Sequence, residues 1–250
     1  MSLIQEKIKK ALETQSEIFG EIIYQKLPNR AEKQQNSNTP PLEAAEKIEV
    51  EVTSGLFASD FQKTETLDEL NSKINSCLKC PLGGGRQNFV FGVGNPTADV
   101  MLIGEAPGAE EDRLGEPFVG RAGKLLNDIL KAINFRREDV YIANIVKCRP
   151  PKNRNPLPVE MEACLPYLYK QIDLINPMLI LALGKVAATG LLKVNSSLTM
   201  LRGKIFEFNG IKTMVTYHPA ALLRNPNWKK FVWEDVQKFR DLYNKLLREK

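Results

Sequence analysis

The sequence predicts an α/β fold, a largely parallel sheet with helices on both faces, and three observations carry that prediction. From about residue 98 onward, short apolar runs alternate with amphipathic stretches of helical period, the pattern of strand-helix-strand units. The apolar runs Ala98 to Ile103 and Met178 to Leu183 are bounded by Gly104, Pro177 and Gly184, as buried parallel strands are. One Asn-Gly pair, Asn209-Gly210, separates two further runs and marks a single antiparallel hairpin, because Asn-Gly suits a type I′ turn.

Taken in order, residues 2–26 place Leu3, Ile4, Ile8, Leu12, Ile18, Ile22 and Ile23 mostly three and four apart among charges, which predicts an amphipathic helix. Residues 28–48 are polar and contain three prolines, the composition of a linker, so a domain boundary is placed near residue 70. ADVMLI (98–103) then reads as the first strand, and residues 120–134, with Leu125, Leu126, Ile129, Leu130 and Ile133 on one side, as a helix. DVYIANIV (139–146) reads as a second strand, 159–175 as a second helix, and 178–183 as a third strand followed by a short helix to Leu192. The hairpin occupies 204–208 and 212–216, and a last helix runs from about Trp228 to Leu247. In such sheets ligands bind at the carboxyl ends of the strands.

The 250 residues, 43% hydrophobic and 26% charged, fit one sizeable domain with an appendage and exclude wholesale disorder. The longest apolar run has six residues, far below the ~20 of a membrane span. The start MSLIQEKIKK has no apolar signal core, so no membrane association and a cytoplasmic location are expected. Residues 1–60 carry 7 basic and 10 acidic side chains, a balance of −3 that leaves +8 on the remaining 190. The basic part points toward a polyanionic partner.

Cys77 and Cys80 form a C-x2-C pair, 67 residues lie between it and Cys148, and 15 more before Cys164. Buried single thiols are one reading. A shared site for zinc or an iron-sulfur cluster is the other, and the wide second spacing leans toward iron. The loop Gly104-Glu105-Ala106-Pro107-Gly108-Ala109-Glu110-Glu111-Asp112 is acidic and turn-rich, so it is either a solvated loop or a turn whose amides around Ala106 and Gly108 face a ligand. Phe118 stands in the loop before a helix, as core cover or as a stacking surface. Asn144 lies inside a strand, where asparagine is disfavoured, and its amide has the donor and acceptor needed to read a nucleobase edge. Lys147, Arg149, Lys152 and Arg154 crowd the next stretch and suit phosphates. His218 ends a strand before Pro219, and Leu222 and Leu223, next to Arg224, have the character of apolar wedges between bases.

With these residues the chain resembles the family 4 uracil-DNA glycosylases, the iron-sulfur branch of the uracil-DNA glycosylase superfamily. The resemblance rests on the C-x2-C pair, GEAPG with EED, PFVG, the strand asparagine with KCRPP, and HPAALLR, spread over about residues 70–247. It implies a three-layer α/β/α sandwich around a four-stranded, mainly parallel sheet, and hydrolysis of the bond between uracil and deoxyribose that leaves an abasic site. Cys77, Cys80, Cys148 and Cys164 match the ligands of a structural 4Fe-4S cluster. Phe118 matches the aromatic that stacks on the flipped uracil, Asn144 the amide that reads it, and Glu105 and Glu111 the carboxylates of the first motif. His218 matches the histidine of the last motif, and Leu222, with Leu223 as runner-up, the residue that fills the vacated gap.

The chemistry so implied is concrete. Glu105, Glu111 or both would position water and stabilise an oxocarbenium-like sugar, while His218 donates to the developing uracil anion. Uracil-containing DNA, single- or double-stranded, is the expected partner of a monomer, with no catalytic metal or soluble cofactor. Residues 1–69 form either a tether for a protein partner or a plain extension. A non-enzymatic nucleic-acid module and a nucleotide-binding or electron-transfer protein compete with this reading. The first has no use for Glu105, Asn144 and His218 together, and the second lacks a G-x-G after its first clear strand.

Overall fold

The computed structural model describes residues 13, 16, 17, 46–48 and 60–250. Glu13, Ser16 and Glu17 are helical, and the apolar positions that predict a helix over 2–26 lie outside the described residues. Among the described residues seven strands build one sheet: β1 (Glu46–Ile48), β2 (Val93–Gly94), β3 (Val100–Gly104), β4 (Tyr141–Asn144), β5 (Leu179–Leu183), β6 (Ile205–Phe208) and β7 (Ile211–Thr216). Their order is β1-β6-β7-β5-β3-β4-β2. The four contiguous strands β7, β5, β3 and β4 are mutually parallel and form the implied four-stranded core. The sheet is wider than four because β6 and β2 add antiparallel edges and β1 pairs parallel with β6. The last three residues of the expected linker are therefore strand.

β3 and β5 are buried along their whole length, which explains why they read as unbroken apolar runs. Alternate side chains nevertheless serve different faces. Met101 and Ile103 join the core beneath α1 (Leu67–Ile74), α5 (Pro158–Ile175) and α6 (Lys185–Leu192). Val100 and Leu102 join the opposite core beneath α4 (Arg121–Ala132) and α9 (Lys229–Glu249). Three layers result. Leu125, Leu126, Ile129 and Leu130 form the buried face of α4, and Val232, Val236 and Phe239 that of α9. Phe61, Leu70 and Ile74 pack into the first core, so packed structure reaches back to Phe61.

Local chemistry sets the ends of these elements. Thr66 caps α1 by accepting from the Glu69 amide. Pro158 opens α5, whose end is closed by Asn176 at a left-handed φ of 49°. Asn209 and Gly210 both take positive φ, 47° and 81°, as a type I′ hairpin turn requires. Because the central strands are parallel, their carboxyl ends share one edge of the sheet. That edge carries Glu105 after β3, Asn144 at the end of β4, Gly184 after β5 and His218 after β7. Among the described residues no helix is long and apolar enough to cross a membrane.

Candidate active site

A cleft of about 330 Å3 opens at that edge, walled by Glu105, Ala106, Gly108, Glu111, Phe118, Asn144, His218 and Arg224. The sequence-predicted acidic loop, aromatic, amide and histidine therefore converge on one site. The floor depends on Gly104. A Cβ there would stand 2.3 Å from Asn144 Oδ1 and 2.7 Å from Phe118 Cζ, so only glycine lets the ring and the amide lie side by side.

Phe118 holds a left-handed backbone, φ 54°, a costly conformation for an aromatic residue. It persists because its surroundings define it. Arg137 donates to the carbonyls of Pro117 at 2.7 Å and Phe118 at 3.3 Å, and a Cβ on Gly123 would lie 1.8 Å from the Phe118 oxygen. The ring stacks on His218, centroids 5.3 Å apart and planes inclined by 26°.

His218 caps α8 (Pro219–Arg224), its Nδ1 accepting from the Ala220 amide at 3.1 Å. The ring proton therefore sits on Nε2. Burial, helped by the Arg224 charge, lowers its pKa to about 4, so at neutral pH His218 is an uncharged donor. Asn144 is buried, and its Oδ1 is one of two buried side-chain atoms among the described residues with no hydrogen-bond partner, the other being Tyr169 Oη. Since buried polar atoms are almost always paired, an acceptor left open in a cleft points to a ligand's N–H.

The two carboxylates have different surroundings. Glu111 lies in the first turn of α3 (Ala109–Leu114). Its Oε2 accepts from Gly108 N, and its Oε1 from Val119 N and Gly120 N, each at 3.1 Å. It ties the acidic turn to the start of α4, so its oxygens serve the frame of the cleft. Glu105 is half-buried, and among the described residues its carboxylate accepts no protein hydrogen bond. Burial pushes its pKa up, with Arg224 opposing.

Other expectations need correction. Lys147 faces no solvent: it is fully buried, its Nζ donates to Asn144 O at 3.0 Å and Gln171 Oε1 at 2.5 Å, and burial lowers its pKa to about 8. It cannot contact phosphate. Leu222 is 1% exposed within the core beneath α4, whereas Leu223 is 39% exposed, so only Leu223 is free to act as a wedge. Arg149 is partly buried and its Nε donates to Asn153 Oδ1 at 2.8 Å. Arg224 is exposed at the cleft mouth.

Sequence reasoning missed Asn153 and Asn155, which line the cleft. It read their stretch as charge, although the prolines and asparagines of PPKNRNP signalled a shaped loop. Arg154 anchors that loop through two bonds, 2.8 and 2.6 Å, to the buried Glu160 carboxylate.

The four cysteines are free thiols. Lys79 N and Tyr167 Oη donate to Cys77 Sγ at 3.4 and 3.2 Å, Arg86 Nη1 to Cys148 Sγ at 3.4 Å, and Lys147 N to Cys164 Sγ at 3.3 Å. Burial pushes the Cys148 thiol up, and the Cys164 thiol up to about 12. Among the described residues no three His, Cys, Asp or Glu side chains converge closely enough to hold a single metal ion.

Residues 91–240 match the Uracil DNA glycosylase superfamily. The chain is 43% identical over 189 residues to the Type-4 uracil-DNA glycosylase of Archaeoglobus fulgidus, covering 72% of this chain and 95% of the relative. The Type-4 uracil-DNA glycosylase of Thermotoga maritima is 42% identical over 189 residues, 74% and 98% of the two chains. That of Sulfurisphaera tokodaii is 44% identical over 187 residues, 71% and 85%. The span matched to the superfamily contains every residue that lines the cleft, and the chain belongs to the uracil DNA glycosylase superfamily.

Proposed function

We propose that this chain is a uracil-DNA glycosylase of DNA repair, a hydrolase that cleaves the N-glycosyl bond of uracil in DNA and leaves an abasic site. The observation that carries the reading is the orphaned Asn144 Oδ1 beside the Phe118 ring and the His218 donor. Those three groups match an acceptor for uracil N3–H, an apolar surface for the base plane and a hydrogen bond for O2. A flipped base would enter the cleft, stack on Phe118 and pair its edge with the Asn144 amide, which accepts from N3–H and donates to O4. Cytosine offers the opposite polarity at both positions and would leave buried groups unpaired.

Bond cleavage puts negative charge on uracil and positive charge on the sugar. Neutral His218 donates from Nε2 to the departing uracil anion without having to lose a proton, a contribution on the order of 3 kcal/mol. Glu105, whose carboxylate accepts no hydrogen bond among the described residues, positions the attacking water and faces the cationic sugar. Glu111 holds the turn and the start of α4 in register. Leu223 fills the gap that the base leaves, and Arg224 and the loop around Asn153 meet the backbone.

The cysteine site takes a 4Fe-4S cluster held by Cys77, Cys80, Cys148 and Cys164. The support is in the donor set: four thiols, three of them accepting N–H or O–H bonds as cluster thiolates do. A cluster takes one sulfur per iron and so needs less convergence than a lone ion. When bound it cross-links the segment before β2 to the segment after β4 and to α5. The protein acts as a cytoplasmic monomer on uracil in single- or double-stranded DNA. Its catalytic domain takes in β1 as well as residues 60–250, and the chain before it is either a tether for a protein partner or a plain extension. Iron-loaded protein assayed on matched oligonucleotides containing uracil or cytosine should release uracil alone; release of cytosine at a similar rate would contradict the role of Asn144.

A further inference from the structure

Lys147 is wholly buried, and among the described residues no carboxylate pairs with it. Burying an ammonium without a counter-charge is expensive, so its surroundings must compensate. They lie in two directions. Forward, Nζ donates to the Asn144 carbonyl at 3.0 Å and to Gln171 Oε1 at 2.5 Å, and Gln171 in turn donates to Phe91 O at 3.0 Å and Tyr141 Oη at 3.4 Å. Backward, Lys147 N donates to Cys164 Sγ at 3.3 Å, and Cys148 is its neighbour in sequence. The carbonyl that Nζ grips belongs to the residue whose open Oδ1 faces the cleft.

We propose that Lys147 is a positioning residue that couples the four-cysteine site to base reading: its side chain holds the Asn144 carbonyl from behind, and its own amide is tied to Cys164. The inference rests on the proposed reading of Asn144 and of the cysteines. The segment 144–148 is thereby pinned by the Lys147 ammonium on the Asn144 carbonyl and by the Lys147 amide on Cys164 Sγ, while Arg86 donates to Cys148 Sγ at 3.4 Å. An occupied cysteine site fixes the segment that carries Lys147, and through it the Asn144 peptide.

The test uses the full, iron-loaded chain. Lys147→Met removes the charge at similar length, and Gln171→Leu removes the forward partner without touching the cysteine side. Each should slow single-turnover uracil excision about tenfold at unchanged DNA affinity, while in an Asn144→Ala background each should cost less than about threefold, because residues acting through one another are not additive. Lys147→Met, but not Gln171→Leu, should also speed iron release to a chelator several-fold. Equal losses in both backgrounds, or excision at the wild-type rate in Gln171→Leu, would overturn the coupling. Unchanged iron release in Lys147→Met would overturn the link to the cysteine site. Failure of wild-type, iron-loaded protein to excise uracil would instead sink the functional reading itself, so the two failures are separable.

Discussion

His218, Asn144 and Glu105 each have one property that matters and one substitution that isolates it. His218→Ala should reduce single-turnover excision by about 100- to 1,000-fold, the usual loss when one donor to a developing anion is removed. Its low pKa also has a consequence for stability. A histidine near pKa 4 when folded and 6.5 when unfolded adds stability that is complete above pH 6.5 and lost as pH falls toward 4. The full effect is on the order of 3 kcal/mol. Denaturant unfolding of His218→Phe across that range should show a flatter pH dependence than wild type; an unchanged slope would place the histidine in solvent. Glu105 must be ionised to face the sugar cation, and burial raises its pKa. Excision should therefore fall on acidification while ordinary carboxylates are still charged. Arg224→Met, which removes the opposing charge, should move that limb to higher pH, whereas Glu105→Gln should abolish it.

At the scale of elements, α8 and the loops decide which of two neighbouring residues does what. Leu222 and Leu223 are indistinguishable as sequence, but a helix opening at Pro219 turns Leu222 into the core and Leu223 outward. Leu222→Ala should lower stability by about 2–5 kcal/mol. Leu223→Ala should leave stability within about 0.5 kcal/mol and weaken excision from duplexes more than from single strands, as comparison of melting curves and single-turnover rates on the two substrates will show. The same logic separates the acidic residues. Glu105 and Glu111 look alike in GEAPGAEED, and only the start of α3 at Ala109 puts Glu111 where three amides claim it. Strands and long helices were legible because burial of a whole face writes itself into apolar spacing. Lys147 was not, because KCRPPKNR reads as one basic run. Its first lysine is drawn inside by hydrogen bonds to Asn144 and Gln171, and the latter stands 24 residues away.

Over the whole molecule, the fold brings the ends of the parallel strands to one edge, where Arg154 and Arg224 line the cleft. The order of the motifs made the family and the cleft legible. The width of the sheet was not, since β1 and β2 are three and two residues long and carry almost no pattern. DNA affinity should fall steeply between low and moderate salt; a flat response in a titration by fluorescence anisotropy would mean that the basic surface meets no phosphates. The central claim is that this cleft releases uracil from DNA by pairing it with Asn144 and His218. Single-turnover release of uracil from an oligonucleotide, with iron-loaded wild type and His218→Ala side by side, tests it most directly. Rapid release by the wild type with a loss of at least about 100-fold in the variant is the predicted result, and no release by folded, iron-loaded wild type, or equal rates for the two proteins, would contradict it.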